Sequence, residues 1–150
     1  ACVKDGDWLQ ALHLMLEMVD ICVDRNTCTY NTALSACGKA GEWLQALKVL
    51  SDMADGRVER DTITYNATFS SCEKAGQWWP ALLLFHDMGE QRVEMSTITY
   101  NAAISACEKK GQWWPVLQLL LQMAECRVEK NTITYNAAAS ACEKAGHWSL

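Results

Sequence analysis

Four asparagines, Asn31, Asn66, Asn101 and Asn136, stand 35 residues apart, each directly after a tyrosine. An asparagine side chain carries one carbonyl acceptor and two N–H donors. A row of them at constant spacing can therefore hydrogen-bond the successive units of a polymer one by one. Cys28, Ile63, Ile98 and Ile133 keep the same step three residues earlier, on the same side of a helix, where they can clamp a flat ring. Lys39, Lys74, Lys109 and Lys144 form a further line at this step, as does Lys4, and cations so placed can meet phosphates. Each row has a plainer use. Asparagine near a helix N-terminus is also a local hydrogen-bonder, and lysine near a C-terminus complements the helix dipole. Glu73, Glu108 and Glu143 directly precede three of the lysines and weaken the basic line.

The other reactive residue types read as packing. Five of the eight cysteines, Cys2, Cys37, Cys72, Cys107 and Cys142, recur at the 35-residue step. Stacked helices lie roughly 8–10 Å apart, too far for a bridge that needs Cα atoms within ~7 Å. Reduced core thiols in a reducing compartment are expected. Cys22, Cys28 and Cys126 fall off that ladder and are unassigned, apart from the clamp position of Cys28. His13, His86 and His147 share no position, so no catalytic residue, metal site or cofactor is expected. Trp8, Trp43, Trp78, Trp113 and Trp148 also keep the step and open an apolar stripe, as core residues would. Trp79 and Trp114 sit one residue further round, where partial exposure and contact with another protein are expected.

What positions these rows is a repeat. Six residue types hold the 35-residue period without an insertion, the mark of a stacked architecture. Tyr100, Ala103, Ile104 and Cys107 fall at i, i+3, i+4 and i+7 and predict a first helix. Lys109-Lys110-Gly111 closes it, with a glycine able to take the left-handed conformation. Trp113, Leu117, Leu120 and Met123 predict the apolar stripe of a second helix. Pro115 is tolerated in its first turn, where the missing N–H has no intrahelical acceptor. Thr132 or a neighbouring Asn caps the next first helix. Complete units are expected at 27–61, 62–96 and 97–131, with a partial repeat at 1–26 and another at 132–150. No unit can bury its own stripe, so neighbours must stack. The expectation is an all-α, right-handed α-solenoid, 1–150 being an excerpt of a longer array. Half the residues are hydrophobic and 21% charged, which excludes intrinsic disorder. The net charge of -5 argues against a strong non-specific grip on nucleic acid. No apolar run spans a membrane, and no targeting segment is visible.

Thr-Ile-Thr-Tyr-Asn-Ala at 62–67, 97–102 and 132–137, the Cys-Glu-Lys-x-Gly runs and the closing Met followed by Arg-Val-Glu resemble the pentatricopeptide repeat along the whole chain. The tetratricopeptide repeat, with a period of 34, fits less well. The Cys-Glu-Lys-x-Gly-x-Trp flavour is similar to versions from algae and related protists. The resemblance implies binding of single-stranded RNA, one repeat to one base, in organellar RNA processing, stability or translation, in a chloroplast rather than a mitochondrion. It also implies a pairing of the residue after the tyrosine with the last residue of the same repeat. On that pattern Asn31 with Asp61 reads U, Asn66 with Ser96 reads C, and Asn101 with Asn131 reads a pyrimidine. Asn136 belongs to an incomplete pair. The alternative is a scaffold subunit that binds proteins of a large organellar complex. At ~1–3 kcal/mol per stacked base, three repeats offer micromolar affinity at best.

Overall fold

The computed structural model describes residues 9–10, 12–14, 17 and 26–146. Cys2, Lys4, Trp8, Cys22, His147 and Trp148 lie outside the described residues. From residue 26 onward the chain forms seven helices: α1 (Thr27–Ala40), α2 (Trp43–Asp55), α3 (Thr62–Ala75), α4 (Trp78–Glu90), α5 (Thr97–Lys109), α6 (Trp113–Glu125) and α7 (Thr132–Lys144). Among the described residues there is no strand, and the architecture is a helical repeat solenoid.

Each first helix begins under a polar cap in extended conformation: Asn26, Asp61, Ser96 and Asn131. In three of them the side-chain oxygen accepts the N–H two residues inside the helix, Thr29 N–H to Asn26 at 3.1 Å, Thr64 N–H to Asp61 at 2.9 Å and Thr134 N–H to Asn131 at 3.1 Å. The neighbour, not the threonine, is therefore the cap. The threonine is the first helical residue, and its hydroxyl reaches the loop that closes the same unit: Thr27 and Thr97 donate to the carbonyls of Glu59 and Glu129 at 2.9 and 2.8 Å. The first helices close on left-handed glycines, Gly41 (φ 75°), Gly76 (φ 65°) and Gly111 (φ 64°). The second helices turn instead on Arg57, Arg92 and Arg127, with φ of 54°, 56° and 56°. Arginine there costs on the order of 1 kcal/mol against glycine, three times over.

First helices pack on first helices, and each second helix lies against the first helices on either side of it. The second helices stand further apart, with a cleft between α4 and α6 lined by Leu82, Phe85, Gln118 and Leu119. The shared core is built from equivalent positions: Tyr30, Tyr65 and Tyr100; Leu34, Phe69 and Ile104; Cys37, Cys72 and Cys107; Met53, Met88 and Met123, all at 1% exposure or less. The first-helix stripe is the expected one. The second-helix stripe is displaced by a residue: in α6 the buried side chains are Pro115, Val116, Leu119 and Met123, whereas Trp113, Leu117 and Leu120 are half-buried. Flanked by two first helices, the second helix covers a wide arc, and its tryptophan lies at the margin of that arc. At Gly38 an added Cβ would stand 2.8 Å from the Ala67 carbonyl oxygen, so glycine permits the close approach of α1 and α3.

All six described cysteines are free thiols. Burial pushes the Cys37 thiol up to about 11 and those of Cys72 and Cys107 up to about 12, away from the reactive thiolate. Cys28 and Cys126 are exposed, and Cys142 is half-buried. Under native conditions an aromatic disulfide reagent is expected to modify Cys28 and Cys126 quickly, and the three core thiols only on unfolding. Peptide mapping that found Cys72 labelled as fast as Cys126 would contradict the packing described.

Candidate functional site

The asparagine row lies on the open side of the first-helix layer. Asn31, Asn66 and Asn101 are half-buried and Asn136 is exposed. Ile63, Ile98 and Ile133 are 64%, 69% and 63% exposed, and Cys28 is exposed as well. A β-branched apolar side chain left largely in water at three equivalent positions has no packing role, and it stands one turn from the amide.

The structure brings Asn31 and Asn101 to the capping residue 30 positions ahead, the last residue of the same repeat. Asn31 Nδ2 donates to Asp61 Oδ1 at 3.3 Å, and Asn101 Nδ2 donates to Asn131 Oδ1 at 3.1 Å. No such bond joins Asn66 to Ser96, whose hydroxyl is shorter by the reach of a carboxamide. They meet through a third residue, Thr99, which donates to Asn66 Oδ1 at 3.1 Å and lies 3.4 Å from Ser96 Oγ. The same threonine bridges the other two pairs. The Thr64 hydroxyl lies 2.6 Å from Asn31 Oδ1 and 2.8 Å from Asp61 Oδ1 and shares its one proton between the two acceptors. The Thr134 hydroxyl likewise lies 2.6 Å from Asn101 Oδ1 and 3.0 Å from Asn131 Oδ1.

This arrangement decides which atoms remain open. The cap oxygen turned toward the helix is occupied by the Thr N–H, the Thr hydroxyl and the Asn amide. Asp61 keeps a second carboxylate oxygen to which neither Asn31 nor Thr64 is bonded, an acceptor. Asn131 is left with its amide nitrogen, a donor. Partial burial works to raise the Asp61 carboxyl, but hydrogen bonds from the Thr64 N–H, the Thr64 hydroxyl, the Asn31 amide and the Ile63 N–H hold it below its ordinary value. A carboxyl lowered in the folded state stabilises above its unfolded value, and that contribution disappears as pH falls through the lowered one. As pH falls from the unfolded carboxylate range through the lowered value, the wild type should therefore lose more stability than Asp61→Asn, which keeps the cap without the titration. Urea midpoints with identical pH slopes would refute this.

The lysine row is already engaged within the protein. Lys74 Nζ donates to the Lys39 carbonyl at 2.6 Å and Lys109 Nζ to the Glu73 carbonyl at 2.7 Å, both in the last turn of the neighbouring first helix. Lys144 forms an ion pair with Glu108 at 2.6 Å, and that carboxylate also accepts from Ser140 at 2.6 Å. Partial burial would raise Glu108, but Lys144, Ser140 and Lys109 bring it below its ordinary value. Lys39 is exposed. These lysines staple neighbouring first helices, and an ammonium holding one carbonyl keeps two further N–H donors.

Sequence reasoning passed over two rows. Thr64, Thr99 and Thr134 are fully buried and tie the site together; their 35-residue spacing was the available signal. The exposed Arg57, Arg92 and Arg127 carry free charge at the loop edge, where Arg57, Arg60 and Arg92 line a polar cavity of about 530 Å³ that Asp61 also borders. Among the described residues no cluster of three or more His, Cys, Asp or Glu could hold a metal, and no helix is long and apolar enough to cross a membrane.

Comparison with known proteins follows the same pattern. A family model described as the PPR repeat family matches residues 25–74 and 60–108, and one described as the PPR repeat matches 98–128. Among curated proteins there is no match. The pentatricopeptide repeat protein PPR10 in complex with an 18-nt psaJ RNA element is 28% identical with a TM-score of 0.76, over 95% of this chain and 21% of that one. PPR10 from maize without RNA gives 25% and 0.71, over 93% and 20%. The chain thus spans about a fifth of the length of PPR10. The PPR domain of Arabidopsis thaliana protein-only RNase P 1, in complex with tRNA, is similar in fold, with a TM-score of 0.82 at 19% identity, over 97% of this chain and 77% of that one.

Proposed function

The chain belongs to the pentatricopeptide repeat family, and from that premise we propose that it is a non-catalytic stretch of solenoid that binds single-stranded RNA, one repeat to one base. The observation that carries this is the pairing of a half-exposed asparagine with a cap 30 residues ahead, beside an exposed isoleucine or cysteine, repeated along one face. The asparagine and the cap residue contact the base edge, Cys28, Ile63, Ile98 and Ile133 flank its plane, and Lys39, Lys74, Lys109 and Lys144 face the phosphates with the donors left to them. PPR10, similar in sequence and fold, is known in complex with RNA.

Atom by atom, the two Asn–Asp and Asn–Asn sites differ in what they offer. Asn31 and Asp61 offer a donor beside an acceptor, which suits uracil, whose N3–H donor adjoins carbonyl acceptors. Asn101 and Asn131 offer two donors, which suit a pyrimidine edge with two adjacent acceptors. The Asn66–Ser96 site reads C by the family's pattern. We assign the target as U-C-Y within a longer site, and the role as organellar RNA processing, stability or translation, in a chloroplast before a mitochondrion. Titration by fluorescence anisotropy tests the reading: an oligonucleotide carrying U-C-Y should bind at least tenfold tighter than one with purines at those three positions. Equal affinities would remove it. Because Lys144 is paired with Glu108 and a glutamate directly precedes three of the four lysines, affinity should fall only shallowly with salt.

A second reading, a protein-binding scaffold in an organellar complex, is favoured by the outer helices. Leu9, Leu44, Trp79 and Trp114 recur at the 35-residue step and are 56%, 59%, 58% and 58% exposed. A single-stranded oligonucleotide that fails to bind in any sequence would leave this reading in place.

A further inference from the structure

We propose that Thr64, Thr99 and Thr134 are positioning residues for base recognition, each fixing the amide of the preceding repeat so that its N–H face, and never its oxygen, is turned toward the strand. This inference rests on the RNA-reading proposal above and adds to it a residue outside the two-residue pairing. Each threonine hydroxyl has one proton to give. It lies 2.6 Å from Asn31 Oδ1, 3.1 Å from Asn66 Oδ1 and 2.6 Å from Asn101 Oδ1, across a separation of 33 residues from one first helix to the next, and nearer to these amide oxygens than to the cap oxygens that compete for the same proton, Asp61 Oδ1 at 2.8 Å, Ser96 Oγ at 3.4 Å and Asn131 Oδ1 at 3.0 Å. The oxygen of the hydroxyl is meanwhile committed to the cap backbone: it accepts the N–H of Asp61 at 3.2 Å, of Ser96 at 3.3 Å and of Asn131 at 3.2 Å. All three threonines are at 0% exposure, so water cannot take over either bond.

The geometry has a directional consequence. With Oδ1 held by the hydroxyl, the amide nitrogen of Asn31 and Asn101 must face the cap, whose nearer oxygen accepts one N–H. The other N–H is left for a ligand. Rotating the amide by half a turn would place its oxygen against the oxygen of Asp61 or Asn131 and leave the threonine proton without this acceptor. The lock therefore makes asparagine a donor only. A base read by one repeat thus depends on a residue of the following repeat, and the reading unit straddles the boundary between them.

The test compares Thr64→Val, which keeps the shape and removes the hydroxyl, with Thr64→Ser, which restores it, in the chain of residues 1–150. Two measurements are made. In the free protein, the side-chain NH2 resonances of Asn31 should be separate and shifted in the wild type and Thr64→Ser, and should collapse toward the values of an unrestrained amide in Thr64→Val. In RNA titrations, the preference for U over C at the base read by Asn31 and Asp61 should fall about fivefold in Thr64→Val, while preferences at the other two bases stay unchanged. Thr64→Ser should retain the wild-type ratio. Should Thr64→Val lower the affinity for every oligonucleotide equally, or lower only the melting temperature, the threonine is structural and the proposal is overturned. Should the wild type itself show no preference at this base, the RNA reading fails. The amide resonances then decide the lock alone, unchanged signals in Thr64→Val overturning it.

Discussion

Replacing Asn31, Asn66 and Asn101 together by alanine is expected to lower the affinity of this chain for a U-C-Y oligonucleotide by at least about 100-fold, below detection at micromolar protein. A base held by directed hydrogen bonds and flanked by a side chain contributes roughly 1–3 kcal/mol. Losing the donor at three sites removes about 3 kcal/mol even at the lower end, which is more than two factors of ten. The same substitutions free the hydroxyls of Thr64, Thr99 and Thr134 from one acceptor each. The cap oxygens, or Ser96 Oγ, remain within reach of those hydroxyls. Stability should therefore fall by less than about 1 kcal/mol per site, and circular dichroism should report an intact solenoid. Binding that survived the triple substitution would move the RNA off this face, and the exposed arginines at the loop edge would be the next cations to examine.

Much of this arrangement is legible in the chain because a repeat prints each structural position several times. Tyr, Asn, Cys, Gly and Met at a 35-residue step identify stacked helix pairs, and the i, i+3, i+4, i+7 pattern of Tyr100, Ala103, Ile104 and Cys107 names the buried face of the first helix correctly. The second-helix face is less legible because Trp113, Leu117 and Leu120 are as apolar as the residues actually buried. A segment apolar over a wide arc does not declare its centre. The use of the lysines was hidden for another reason. Whether an ammonium faces a phosphate or a carbonyl of the helix beside it depends on inter-repeat distance, which spacing along the chain does not contain. The threonine lock is of the same kind: its 33-residue separation from the amide becomes a 2.6 Å contact only when first helices stand side by side. Thr64, Thr99 and Thr134 were printed as regularly as the asparagines, but a buried hydroxyl and a helix-capping hydroxyl look alike in a sequence.

Equivalent positions that are not equivalent give the sharpest stability contrast. Tyr65 Oη donates to Asp87 Oδ2 at 2.6 Å, and Arg60 donates to the same oxygen at 2.9 Å, the guanidinium lying 5.9 Å from the Tyr65 ring centre. Burial and the adjoining Asp87 push the Tyr65 hydroxyl well above its ordinary value. One repeat later, Met95 stands in place of Arg60 and Gln122 in place of Asp87. Tyr100 Oη is left fully buried without a hydrogen-bond partner of ordinary geometry, beside the Cys126 sulfur. Asp87→Ala should therefore cost about 2–3 kcal/mol. It strands a phenol and a guanidinium whose side chain is 15% exposed; the cost falls below the ~3–5 kcal/mol of a fully buried pair because the Asp87 side chain is 33% exposed. Tyr65→Phe should cost about 1 kcal/mol, the net value of one hydrogen bond. Tyr100→Phe should be neutral or stabilising, because it deletes a buried hydroxyl with only the Cys126 sulfur beside it, while its ring keeps the edge-on contact with Phe85 at 4.8 Å between centroids. Urea midpoints of the three variants order these effects. Equal losses for the two tyrosine substitutions would mean that the Asp87 bond contributes nothing, and that the exchange of Arg60 and Asp87 for Met95 and Gln122 is without energetic consequence.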